Sequence, residues 1–221
     1  MAEQDLRLSD QLLQYVDKHS LRESKHLCQL RQKTCQDVEF PHMLSAPASM
    51  QFIQLLLQLM QAEQVLELGV YTGYSTLAMA EVLPQNGRVV ALDHSTVWPE
   101  VGKPFWQQAG VADKIDLRIG NATECLQALV EQHDAAIFDF IYVDADKINY
   151  QNYLELSYSL LRTNGLMVFD DTLFVSSGHV VTPTNPSTRA MDSFNQQLHQ
   201  DARFDLSLLT VYKGLTILRK R

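Results

Sequence analysis

The chain has 221 residues, 46% of them hydrophobic and 20% charged, with a formal net charge of −8. At this length it forms one large domain, or one domain with a small appendage. The acidity excludes the electrostatic footprint of a binder of nucleic acid or anionic membrane, no apolar run is long enough to span a bilayer, and no signal peptide is expected.

Residues 1–40 are polar and helix-prone, with Leu6, Leu8, Leu12, Leu13 and Val16 at helical spacing and a second pattern at His26, Leu27 and Leu30. They read either as an appendage packed on the main domain or on a second subunit, or as a partly disordered arm. Cys28, Cys35 and Cys125 are odd in number and lack metal-ligand spacing, which predicts reduced thiols in a cytoplasmic protein. Phe40-Pro41 and Ala46-Pro47 break the chain before an amphipathic helix over 48–62, and the main domain is taken as 41–221. Strands are then predicted at 64–68, 88–92, 114–119, 137–143 and 165–170, with helices at 75–83, 97–109, 121–132 and 148–162. Asn86-Gly87 and Asn164-Gly165 supply helix-to-strand turns, with glycine available for a positive φ. After a loop at 172–187 and a helix at 188–200, strands over 205–210 and 214–218 lie too close for anything but an antiparallel hairpin. The expected fold is α/β: a mostly parallel seven-stranded sheet closing on a C-terminal antiparallel hairpin, with helices on both faces.

The chemistry gathers where strands end, because open α/β sheets bind ligands beyond their carboxyl edges. Val65-Leu66-Glu67-Leu68-Gly69-Val70-Tyr71-Thr72-Gly73-Tyr74-Ser75 is a strand, a glycine turn and a helix start. Glycines 69 and 73 allow close backbone approach, but the third glycine of a dinucleotide fingerprint is missing, and no Gly-Lys-Ser/Thr marks a triphosphate loop. Asp93, 20 residues past Gly73, can accept hydrogen bonds from both hydroxyls of a ribose; its alternative is a helix cap or surface acid. Gly120-Asn121-Ala122 can face an adenine edge, and Asn121 reads equally as a helix N-cap; both can hold.

Two further strand ends carry acids. Tyr142-Val143-Asp144-Ala145-Asp146-Lys147 and Val168-Phe169-Asp170-Asp171 are spaced for neighbouring strands, which brings Asp144, Asp170 and Asp171 to one edge with Asp146 close by. Like charges so gathered are costly without a cation, and all-oxygen ligands select Mg²⁺, Ca²⁺ or Mn²⁺ over zinc. The alternative is helix caps and salt bridges, which leaves the double acid without an explanation. Lys147 is either a base of lowered pKa or an ion-pair partner of these acids. The seven histidines show no ligand spacing, though His179 can line a substrate mouth.

The residues from about Met43 to Arg219 resemble the cation-dependent class I O-methyltransferases of the caffeoyl-CoA and catechol type. The likeness rests on the 66–75 segment, Val143-Asp144-Ala145-Asp146-Lys147 with Tyr150, Phe169-Asp170-Asp171-Thr172-Leu173, Gly110-Val111 with Asp113-Lys114-Ile115, and Phe194-Asn195. It implies a Rossmann-like class I methyltransferase fold and S-adenosylmethionine held by Glu67, Gly69, Tyr71, Ser75, Asp93, Asn121, Ala122, Asp144 and Asp146, with Met43 and Ser45 near the methionine end. It also implies a divalent cation on Asp144, Asp170 and Asp171, Mg²⁺ foremost with Mn²⁺ or Ca²⁺ as alternatives, and a homodimer. The chain departs from the family pattern at Asp171, usually Asn, and at Tyr212-Lys213-Gly214, usually Gly-Asp-Gly. Asp192-Ser193 stands where an Arg often precedes Phe-Asn, and Met50 replaces a frequent Gly.

The resulting expectation is a cation-dependent O-methyltransferase with Asp144 and Lys147 as catalytic residues. Its acceptor is a small phenolic or other vicinal diol, chelated so that the attacking oxygen loses its proton readily. Two alternatives remain at this point: a nicotinamide-dependent oxidoreductase, disfavoured by the missing glycine and the absence of Tyr-x-x-x-Lys, and a non-catalytic S-adenosylmethionine-binding protein acting through its N-terminal arm.

Overall fold

A computed structural model of the chain describes residues 9–132, 136–175 and 178–221; Leu6 and Leu8, named above, lie outside them, as does His133, one of the seven histidines. The helices are α1 (Asp10–Ser20), α2 (Lys25–Asp37), α3 (Pro47–Leu59), α4 (Tyr74–Val82), α5 (Pro99–Gln108), α6 (Ala122–Gln132), α7 (Tyr150–Leu160) and α8 (Pro186–Gln200). The strands are β1 (Gln64–Leu68), β2 (Arg88–Asp93), β3 (Ile115–Ile119), β4 (Phe138–Val143), β5 (Leu161–Asp170), β6 (Phe174–Val175), β7 (Gly178–His179), β8 (Phe204–Leu209) and β9 (Leu215–Lys220). Seven of them form one sheet in the order β3-β2-β1-β4-β5-β9-β8, parallel through β5, with β9 antiparallel to both its neighbours. This is the predicted architecture. Since β1 sits between β2 and β4, the strand order reverses there, and the crevice at that reversal is where such sheets hold ligands.

The period of two along each strand assigns the faces. Val65, Phe140, Tyr142 and Val168 point into one core with Leu30 of α2, Ile53 of α3, Leu77 of α4 and Trp106 of α5. Leu66, Leu68, Ile141, Val143 and Phe169 point into the other, against Leu126 of α6, Leu154 of α7 and Phe194 of α8. Helices therefore cover both faces of the parallel strands, as their continuous apolar character requires. The N-terminal forty residues divide. Leu27, Leu30 and Thr34 of α2 are buried, whereas α1 buries nothing and exposes Leu13, Tyr15 and Val16.

Three local expectations need correction. β5 begins at Leu161, not 165, because the chain passes from α7 directly into pairing with Phe138. Asn164 then takes the positive φ (63°) expected of Gly165, whose absent side chain instead leaves room for Leu161 and the Asp139 carbonyl. The hairpin turn spans residues 210–214 rather than three residues, since Tyr212 (φ 50°) and Gly214 (φ 101°) both adopt left-handed backbone to reverse the chain. The loop after β5 also holds a short ladder in which Phe174 pairs with His179.

Gly69 is where close approach matters most. Its φ is +92°, and a Cβ there would stand 2.2 Å from the Asp144 carbonyl oxygen, across the gap between the ends of β1 and β4. Gly110 has a similar φ of +70° with no atom within 4 Å of the added carbon. Gly69→Ala should cost roughly 2–4 kcal/mol, combining strain with displaced backbone, against about 1–2 kcal/mol for Gly110→Ala. Urea unfolding of the two variants measures the difference.

Candidate active site

The carboxyl ends of β1 to β5 open into a cavity of about 620 Å³. Met43, Ser45, Gly69, Tyr71, Ser75, Asp93, Asn121, Ala122, Asp144 and Asp146, all predicted donor-binding residues, line it. Glu67 does not. It lies fully buried behind the loop, where its carboxylate accepts hydrogen bonds from the hydroxyls of Ser75 and Thr76 at the start of α4.

The loop over 69–73 is shaped from several sides. Asp93 Oδ2 accepts hydrogen bonds from the Val70 (2.8 Å) and Tyr71 (2.9 Å) backbone N–H groups, and its Oδ1 accepts from Ser95 N. The acid placed by the sequence at a ribose thus also fixes the loop. Gly73 serves packing rather than ligand approach, since a Cβ would fall 2.3 Å from the Trp106 ring, whose Nε1 donates to the Gly73 carbonyl. Tyr71, at φ 50°, sends its hydroxyl to the Glu39 carbonyl (2.6 Å), and Thr34 bonds Thr72 (2.9 Å), so the end of α2 is tied to the loop. Asn121 is the N-cap of α6, accepting from Thr123 N and Glu124 N, and it also lines the cavity.

A second cavity of about 260 Å³ adjoins the first and shares Met43, Leu44, Ser45, Asp144 and Asp171 with it. Asp144 and Asp171 stand at this junction, Asp170 lines the second cavity beside them, and each of the three has its own protein donor. Lys147 Nζ pairs with Asp144 Oδ1 at 2.8 Å and also reaches the Tyr150 hydroxyl at 2.6 Å. The Tyr142 hydroxyl donates to Asp170 Oδ2 at 2.5 Å, and Lys213 pairs with Asp171 Oδ2 at 3.3 Å. The donor set is wholly oxygen, the chemistry a hard divalent cation takes. Among the described residues, however, no three His, Cys, Asp or Glu side chains are arranged around a common metal position.

Charge and burial perturb these groups strongly. Burial, with Asp144 and Asp171 nearby, pushes the Asp170 carboxyl up to about 7 against the pull of Tyr142 and Lys147. Burial and Asp144 likewise raise Asp171, opposed by Lys147 and Lys213. For Lys147, burial acts downward, but the Asp144 charge, with Tyr150 and Asp171, outweighs it and holds the ammonium well above the usual lysine value. Of the two roles open to Lys147, the geometry favours the ion pair.

Several residues escaped the sequence reading. His94 and Trp98 line the first cavity just past Asp93, and Tyr153 lines it with its hydroxyl on Asp146. An aromatic close behind an acidic strand end was the available signal for Trp98. Tyr142 and Lys213 carried none, because their partners lie on other strand ends. His179 lines neither cavity; its ring packs on Phe174. Cys28, Cys35 and Cys125 are free thiols.

A family model described as O-methyltransferase matches residues 17–221. A caffeoyl-CoA O-methyltransferase of Eucalyptus gunnii is 38% identical over 222 residues, spanning 96% of this chain and 88% of that protein. An O-methyltransferase of Bacillus cereus, solved in complex with S-adenosylhomocysteine (SAH), superposes with a TM-score of 0.82 at 27% identity, covering 94% of this chain and 96% of its own. An SAH-bound methyltransferase of Podospora anserina gives a TM-score of 0.85 at 25% identity, with 96% and 94% covered. The chain belongs to the O-methyltransferase family, within the S-adenosylmethionine-dependent transferases. The oxidoreductase and non-catalytic alternatives fall with that membership.

Glu67 gives the fold a pH signature. Its carboxyl is pushed up to about 8, first by burial and then by Asp144 and Asp93, against the Ser75 and Thr76 hydrogen bonds. Because the folded value lies above the unfolded one, its contribution to stability is fully present below the ordinary value of 4.5 and is lost as pH rises to about 8. Between about pH 5 and 8.5 the wild type should lose roughly 2–4 kcal/mol relative to Glu67→Gln, read by urea unfolding.

Proposed function

We propose that the chain moves a methyl group from S-adenosylmethionine to a hydroxyl of a small vicinal diol, of catechol or other phenolic type, with the help of a divalent cation at the acidic corner. The observation that carries this reading is the junction of the two cavities at Asp144 and Asp171, a large chamber for the donor meeting a small one for the acceptor. The name of the Eucalyptus relative points to the same acceptor chemistry, since a caffeoyl group carries adjacent ring hydroxyls.

In this reading Asp93 accepts from the donor's ribose hydroxyls with the lone pairs that the loop amides leave over. Asn121 and Ala122 border the adenine, with Trp98 and His94 across the same cavity, and Met43 and Ser45 border the methionine end. Asp146, braced by Tyr153 and Asn149, completes that wall. Asp144, Asp170 and Asp171 would hold Mg²⁺, or Mn²⁺ or Ca²⁺. That cation supplies Lewis acidity, which lowers the pKa of an acceptor hydroxyl. Lys147 enters turnover as an ammonium fixed between Asp144 and Tyr150, and so orients Asp144 toward the junction. The sulfonium methyl is already activated, so the remaining task of the protein is alignment of acceptor oxygen and donor carbon.

Residues 1–40 serve as a lid or dimer contact in this proposal. A homodimer would cover exposed Leu13, Tyr15 and Val16 on α1 and Leu55 and Leu59 on α3. Among the described residues no helix is long and apolar enough to cross a membrane, and we take the cytoplasm as the working compartment.

Methyl transfer to a catechol should stop in EDTA and return with Mg²⁺ or Mn²⁺, while SAH affinity measured by calorimetry stays nearly unchanged. Asp144→Ala should remain inactive at any accessible Mg²⁺ concentration; full activity of that variant in EDTA rules the mechanism out. Asp93→Ala should weaken SAH binding by roughly 1.5–3 kcal/mol, the cost of losing hydrogen bonds to a charged acceptor.

A further inference from the structure

Lys213 has no part in the reaction described so far, yet the fold places it with care. It sits in the β8–β9 turn, and its carbonyl accepts hydrogen bonds from Leu173 N (2.8 Å) and Phe174 N (2.9 Å), directly after the paired acids at the end of β5. Gly214 O accepts from Thr172 N at 3.1 Å, and Thr216 Oγ1 bonds Thr172 Oγ1 at 3.0 Å. Gly214 itself is held at φ +101°, where a Cβ would stand 2.6 Å from the Leu173 nitrogen. The turn is thus laced to the segment that follows Asp171, and the root of the Lys213 side chain cannot drift from the acidic corner.

The ammonium meets Asp171 at 3.3 Å, with side-chain exposures of 39% and 27%. A pair this accessible contributes little to fold stability. Its effect on a second cation at the same carboxylates is larger, because like charges a few ångströms apart repel strongly where protein displaces water. The cavity that Lys213 and Asp171 share also holds a sign of an absent occupant. Ser49, on α3 and 1% exposed, lines it with a hydroxyl that has no hydrogen-bond partner among the described residues.

We infer that Lys213 is a tethered counter-cation of the acidic corner: it occupies Asp171 in the metal-free enzyme and competes there with a divalent cation, so that the β8–β9 turn sets the affinity of the metal site. The inference rests on the cation reading above. Asp171 contributes a carboxyl group to the site, and the Lys213 ammonium pairs with it when no metal is present. Binding a divalent ion then requires the ammonium to swing off its carboxylate toward the solvent, which its partial exposure permits. Lys147 cannot do the same, being enclosed between Asp144, Tyr150 and the Asp170 carbonyl.

Mn²⁺ binding by calorimetry to the full chain, stripped of metal and without acceptor, tests this independently of turnover. Lys213→Gln should bind Mn²⁺ about tenfold more tightly than the wild type, and Lys213→Arg, which keeps the charge, within about threefold of it. In an Asp171→Asn background the gain from Lys213→Gln should shrink below about threefold, because the ammonium has lost the carboxylate that holds it at the site. The wild type supplies a readout that needs no variant: the ¹⁵N resonance of the Lys213 ammonium should shift as Mg²⁺ is added. Equal Mn²⁺ affinity in the wild type and Lys213→Gln, or an unmoved Lys213 resonance while the metal binds, overturns the counter-cation and leaves the cation reading standing. Failure of every form to bind Mn²⁺ or Mg²⁺ overturns both.

Discussion

The structure depends on how it tolerates carboxylates at the carboxyl edge of a parallel sheet. Glu67, Asp93, Asp144, Asp170 and Asp171 all come from the ends of four strands or the residues just past them, and Glu67, Asp93 and Asp170 are buried. Charge is removed from water only where donors take over its solvation. Here each acid has its own supply: hydroxyls of α4 for Glu67, loop amides for Asp93, Lys147 for Asp144, Tyr142 for Asp170 and Lys213 for Asp171. The donors come from different elements, so the edge holds together only when the whole sheet is assembled. The perturbed carboxyls of Glu67 and Asp170 record how incomplete that compensation remains.

Most of the architecture was legible because its signals are local. Period-two strands, helix-length spacers and a turn too short for a crossover give a parallel sheet ending in a hairpin without any knowledge of distant contacts. β1 was read to the residue, since a compact apolar run ends at a glycine that nothing else can replace. The start of β5 was missed for the opposite reason. Asn164-Gly165 looks like a turn, but pairing with β4 pulls Leu161 into the strand and turns the dipeptide into a kink within it. α2 was underrated because its few apolar positions sit among Gln, Lys and Arg, although Leu30 is among the most buried residues of the chain.

The site divided in the same way. Acids and glycines at strand ends could be placed from sequence, since position along a strand determines which edge a residue reaches. Their partners could not, because Tyr142 faces Asp170 across β4 and β5, and Lys213 meets Asp171 only after β9 has paired with β5. Family resemblance alone supplied the residues to examine at positions 43 and 45. It was silent on Lys213, where this chain departs from the pattern.

The ties between α2 and the glycine loop have a consequence of their own. Thr34 bonds Thr72, the Tyr71 hydroxyl reaches the backbone carbonyls of Glu39 and Phe40, and the Tyr74 hydroxyl reaches Glu23, so four residues of the arm and its exit grip the segment that borders the donor cavity. Coupling between two such elements is reciprocal. Whatever steadies the loop from inside the cavity must slow the opening of α2 on the outer face, and whatever loosens α2 must weaken the grip on the donor. Amide exchange along residues 25–37 is therefore a gauge of cavity occupancy, mounted on a helix that lines neither cavity.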